Sequence, residues 1–215
     1  MKKIALLAIV GLAASAAQAQ TFSFTGTPIA IPDNVAAGVS INTGAVVGTD
    51  AIITAVSVTI AFDPRHTWIG DLIATLTYTP TVGPVTSISL FNRVGRPGNV
   101  GFGDSSNVFG SYLFADGGAD FWAAAAAIGV GDGVNIPNAT YAASGAGSGT
   151  ALAMDATFAG LSSAGSWSLT VSDLESGDTG TIASANVSIR TIPSPAAAAL
   201  LGLGGLVATR RRRLA

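Results

Sequence analysis

The chain has 215 residues, no cysteine and a net charge of −2. The missing cysteines exclude disulfide staples, thiolate metal sites and a thiol nucleophile. Charge is unevenly spread: residues 20–192 hold all twelve acids but only Arg65, Arg93, Arg96 and Arg190, a net −8, and such a body repels phosphate backbones, which excludes a nucleic-acid partner.

Residues 1–19 read as a secretory signal peptide. Lys2 and Lys3 form its charged end, residues 4–16 are almost wholly apolar, and Ala17-Gln18-Ala19 offers small residues to a peptidase. The cut is expected after Ala19. Residues 20–191 then form one body, with no internal repeat and no second domain.

That body is dominated by period-two alternation. In AVSVTIAF, Val56, Val58, Ile60 and Phe62 share one face. In DLIATLTYT, Leu72, Ala74, Leu76 and Tyr78 do the same, and PVTSISLF (84–91) follows as a hairpin partner across the turn at 80–83. Between these strands lies DPRHTWIGDL, which carries the sole histidine, His66. It reads as a turn of nine residues, with Asp71 accepting backbone N–H groups, Trp68 covering a sheet edge and His66 tying loop backbones. FWAAAAAIGV (121–130) predicts a short helix ended by Gly129 and Gly131, and residues 131–150 read as loop. Trp167, Leu169 and Val171, then Ala185, Val187 and Ile189, complete the alternating strands. One apolar and one polar face per strand fits an antiparallel sheet packed on one side. The fold expected is all-β, a jelly-roll sandwich of about eight antiparallel strands.

Residues 192–215 read as a tail. Pro193 and Pro195 stop the preceding strand. An apolar run, 196–208, would span about 20 Å as a helix, against roughly 30 Å of bilayer hydrocarbon. Arg210 to Arg213 would stay on the cytoplasmic side. This layout resembles the PEP-CTERM sorting signal of Gram-negative bacteria, with Ser194 standing where that family usually has Glu. The resemblance implies transient anchoring in the inner membrane, a sorting enzyme of exosortase type, and delivery to the cell surface or extracellular matrix. A plain C-terminal anchor is the alternative.

The body also carries a resemblance. IPDN at 31–34, HTWIGDL at 66–72, SLFNRVGRPG at 89–98, GDSSNVFGSYLFADGGAD at 103–120 and FAGLSSAGSWSLTVSDLESGDTGTI at 158–182 occur in that order. Together they resemble the P domain, or P/Homo B domain, of proprotein convertases and bacterial subtilisin-like proteases. Where that family often pairs two Asp after Phe, this chain has Phe114-Ala115-Asp116. The resemblance implies a jelly roll that accompanies a serine endopeptidase domain; here the domain is expected to stand alone.

Catalysis finds little in the sequence. His66 has no G-x-S-x-G partner motif, and Glu175 is the sole glutamate. The expected protein is therefore a non-enzyme: an exported, surface-sorted binding or structural component. One alternative is an accessory that docks on a separate secreted subtilisin-like serine endopeptidase. The other is a carbohydrate-active enzyme using paired Asp residues. Extracellular polysaccharide or a secreted serine protease are the expected partners. The expected ligand ion is Ca²⁺, held by some of Asp71, Asp104, Asp116, Asp120, Asp173 and Asp178; the same side chains serve equally well as caps of turns. Arg93 and Arg96 lie in a Gly-rich loop with Phe102 nearby, a contact surface for sugar or an acidic partner or simply solvated. Trp122 is expected beneath the alanine helix, with an exposed sugar platform as the alternative.

Overall fold

The strands that alternation predicts are assembled into two facing sheets in a computed structural model, which describes residues 17–44, 51–128 and 133–194. The signal segment up to residue 16 and the tail from 195 onward lie outside the described residues. Among those described, no helix is long and apolar enough to cross a membrane.

The strands are β1 (Gln18–Ser23), β2 (Ile29–Ile31), β3 (Val35–Asn42), β4 (Ala51–His66), β5 (Leu72–Pro80), β6 (Thr86–Asn92), β7 (Val108–Ala119), β8 (Thr140–Tyr141), β9 (Ala143–Ser144), β10 (Ala151–Leu152), β11 (Gly165–Asp173) and β12 (Gly180–Pro193). The helices are α1 (Phe121–Ala127) and α2 (Met154–Phe158). One main sheet has the order β1-β12-β4-β7, extended by β8 and by β2 on β12; the second has the order β3-β11-β5-β6, and β9 and β10 form a separate two-stranded ladder. The chain crosses between the two main sheets at β2 to β3, β3 to β4, β4 to β5, β6 to β7 and β11 to β12. Eight main strands in this order make a jelly roll. β1 pairs from Gln18, two residues ahead of the expected mature start, and β12 pairs through to Pro193.

The core lies between the sheets. Val58, Ile60 and Phe62 of β4 and Val187 of β12 face Leu72, Ala74, Leu76 and Tyr78 of β5 and Trp167, Leu169 and Val171 of β11, all fully buried. Burying side chains of this size contributes about 1.5–3 kcal/mol each. Aromatic rings interlock at two points. Trp167 packs on Tyr78 (ring centroids 4.4 Å apart) and on Phe158 (5.0 Å). Phe121, the first residue of α1, packs on Tyr141 (4.8 Å), Phe91 (5.5 Å) and Phe114 (5.5 Å).

Two local expectations need correction, and one element went unread. Residues 131–150 are not all loop: they contain β8 and β9, and β8 runs parallel to β7. Two-residue strands are too short for alternation to register. α2 had no sequence signal, because its cap is supplied from afar. Asp116 of β7 accepts the N–H groups of Met154 (2.7 Å) and Asp155 (3.1 Å). α1, by contrast, is capped by the adjacent Asp120, which accepts from Trp122 (2.8 Å) and Ala123 (3.1 Å), the usual local pattern. Finally, the nine-residue turn is shorter than expected. β4 runs on to His66 with its ladder interrupted after Phe62, and a 3₁₀ turn at Ile69–Asp71 leads across to β5.

The buried indole N–H of Trp167 has no hydrogen-bond partner among the described residues, so its ring contributes through packing there. We expect Trp167→Ala to cost about 3–5 kcal/mol in urea unfolding. Trp167→Phe should cost less than half as much; equal losses would show that the indole N–H matters.

Candidate functional site

Parts of the segments that carry the P-domain resemblance meet at one end of the sandwich: Asp33, His66 to Asp71, Arg93 and Val94, Asp104 to Ser106, and Asp173 to Asp178. His66, at the end of β4, is fully buried. Its Nδ1 donates to the carbonyl of Thr67 and its Nε2 contacts Asp173 Oδ2 at 3.1 Å. A carbonyl only accepts, so Nδ1 carries a proton, and the Nε2–Asp173 contact holds one further proton between its partners. Whichever group owns it, the pair has no net charge. Burial is the largest influence on Asp173 and raises its pKa; the Glu175 N–H and His66 oppose it. Asp173 Oδ1 accepts from that N–H at 3.1 Å. His66 thus ties a carbonyl to a carboxylate rather than two loop backbones, and neither ring nitrogen is presented to a serine hydroxyl.

Other ties surround this pair. Thr67 Oγ1 donates to Asp178 Oδ1. Asp33, in the turn after β2, accepts from Gly177 N–H at 3.1 Å. Arg93, just past β6 and 5% exposed, donates from Nε to Gly70 O (2.5 Å) and from Nη2 to Glu175 Oε1 (2.8 Å). That bond to Arg93 holds the Glu175 carboxyl below its usual range. Backbone bonds add Ile69 N to Ser106 O (2.8 Å), Gly70 N to Asp104 O (2.9 Å) and Asp104 N to Val94 O (2.8 Å). Gly70 is needed for this approach: a Cβ there would stand 2.7 Å from Gly103 Cα and from Phe102 O.

Asp71 departs from the expected role. Its backbone N–H donates to Trp68 O (3.0 Å), and its carboxylate faces Arg93 Nη2 at 3.7 Å instead of capping the turn. Burial, then Asp173, raise its pKa to about 7, with Asp178 and Glu175 adding to the rise and Arg93 opposing it. The indole N–H of Trp68 donates to Phe102 O (3.1 Å), the partner that the sequence left unnamed. Trp68 and Phe102 line an open cleft of about 440 Å³ with Asp71, Glu175, Ser176 and Asp178.

Of the six acids put forward for calcium, Asp71, Asp173 and Asp178 share this end, and Asp104 borders it through Gly70. Asp104 Oδ1 accepts from Ser106 N–H at 2.8 Å. Asp116 and Asp120 serve α2 and α1 as described. Among the described residues, no three His, Asp or Glu side chains converge at metal-ligand spacing. Arg96 donates from Nη2 to Asn99 O (3.1 Å) within its own loop. Trp122 is half-buried and packs on the core. The sequence did not pair Phe102 with Trp68; the close-packed glycines Gly70 and Gly103 were the available signal.

These features define a class: an all-β jelly roll whose sheet-to-sheet crossovers are tied together at one end around a shallow cleft. No family model matches the chain, and no curated protein does. Among solved structures it is similar to a chain in the crystal structure of the Aeromonas sobria serine protease (ASP) and chaperone (ORF2) complex, with 17% identity and a TM-score of 0.45. The match covers 83% of this chain and 27% of that one.

Two neighbouring carboxylates should respond oppositely to removal. Asp173→Ala leaves His66 buried without its partner and should destabilise by about 3–5 kcal/mol. Asp71 keeps its proton in the folded chain up to about pH 7, whereas the unfolded chain releases it near 3.8. Stability therefore falls as pH rises between those values and levels off above them. Asp71→Asn removes that penalty, so its melting temperature should exceed the parent's at pH 8 and match it at pH 3. A lower melting temperature for Asp71→Asn at pH 8 would contradict the sign.

Proposed function

We propose that this chain is an exported, non-catalytic binding module, a P-domain-like sandwich delivered to the surface or extracellular matrix of a Gram-negative cell. Its two terminal segments support the export and sorting parts, including a sorting enzyme of exosortase type. The observation that carries the binding part is the state of His66. Both ring nitrogens are engaged and the ring is buried, whereas a general base must reach a substrate proton. The exposed part of the same end is the cleft walled by Trp68 and Phe102, a surface suited to holding a partner.

A second reading makes the domain an accessory that docks on a separate secreted serine protease. The contacts that join parts of the P-domain-like segments at one end favour it, because Trp68, Phe102, Glu175 and Asp178 from three of those segments line one cleft. The two readings differ in the partner and share the cleft.

Purified chain should turn over none of a panel of polysaccharides and peptides. Immobilised chain should retain extracellular polysaccharide or one stoichiometric serine protease, and the identity of the retained species separates the readings. Combined Trp68→Ala and Phe102→Ala changes should abolish retention. Turnover lost on a paired Asp→Asn change would overturn both readings in favour of a carbohydrate-active enzyme.

A further inference from the structure

Asp71 is the exception among the six carboxylates. The other five each accept a hydrogen bond from the chain. Asp71 is 3% exposed, lines the cleft, and accepts none from the described residues. Its nearest cation, Arg93 Nη2, stands 3.7 Å away and is already bonded to Glu175. The Asp71 carboxylate borders the open cleft, so it has acceptor capacity for whatever enters.

The walls narrow the choice of ligand. Phe102 is 76% exposed. Trp68 sits at φ 57°, ψ 75°, a left-handed conformation that bulky residues seldom adopt, and its indole N–H is pinned to Phe102 O. Calcium takes roughly six to eight oxygen ligands, and no three acidic or imidazole groups converge at such spacing among the described residues. Aromatic faces do attract organic cations, and apolar walls accept their carbon stems. The net −8 of residues 20–192 would draw a basic partner toward the body.

We propose that the cleft between Trp68 and Phe102 binds the side-chain head of an arginine or lysine on a partner polypeptide, seated against Asp71 with Glu175 and Asp178 beside it. This rests on the binding-module reading and names the chemistry of the partner. Burial first, then Asp173 of β11, with Asp178 and Glu175 of the following crossover, favour a protonated Asp71, and Arg93 favours the ionised form. An entering cation also favours the ionised form, so binding tightens as pH rises through 7.

The test is calorimetric titration of the full chain with a tetra-arginine peptide. The chain carries Arg210→Gln, Arg211→Gln, Arg212→Gln and Arg213→Gln so that its own tail does not compete. The peptide should bind at pH 8 and roughly tenfold more weakly at pH 6. A tetra-citrulline peptide, isosteric but neutral, should bind at least tenfold more weakly than tetra-arginine. Asp71→Asn and Phe102→Ala should each lower affinity at least tenfold, without a lower melting temperature for Asp71→Asn. Equal binding of citrulline, undiminished binding in both variants, or displacement of the peptide by calcium acting through Asp71 would overturn the assignment. If the peptide fails but immobilised chain still retains a partner, this assignment falls and the binding-module reading stands. If both fail, both fall.

Discussion

The buried contact between His66 and Asp173 is the constraint on which the loop end depends. Two facing sheets touch through side chains, and the crossovers are their covalent links. His66 ends a strand of one sheet, and Asp173 ends a strand of the other. Their contact therefore clamps the sheets at the point where the chain twice changes sides. Placing two ionisable groups in an apolar interior is costly unless each is fully partnered. Here the shared proton keeps the pair neutral, the Thr67 carbonyl takes Nδ1, and the Glu175 N–H takes the second carboxylate oxygen.

The remaining ties follow from that clamp. Once the two crossovers lie side by side, Thr67 meets Asp178, and Arg93 reaches both Gly70 and Glu175. Such approaches leave no space for side chains at the contact. A Cβ on Gly180 would stand 2.5 Å from His66 Cα. Loops fixed this tightly can hold unfavourable features: Trp68 is in a left-handed conformation, and Asp71 accepts no hydrogen bond from the described residues. Both face the same cleft, which is why the cleft, rather than the histidine, carries the functional reading.

Much of the fold was legible because strict alternation has few interpretations. Val56 to Phe62 and Leu72 to Tyr78 declared their inner faces, and the alanine run declared α1. The parts that escaped are those whose cause lies far away in sequence. α2 is capped by Asp116, 38 residues earlier, and β8 is too short to show a period. The site was legible as a set of residue types and not as a set of partners. His66 and the aspartates stood out, but nothing local said that Asp173 would face His66 across 107 residues. Nor did anything local mark Asp71, among equals in the sequence, as the carboxylate left without a donor.

The central claim is that the solitary imidazole braces the fold and takes no part in chemistry. Because His66 is the only histidine, formation of N-carbethoxyhistidine by diethylpyrocarbonate reports on it alone. The account predicts that the native chain resists modification and that the ring becomes reactive once the chain is unfolded in urea. Modification of the native chain at the rate of a free imidazole would contradict it.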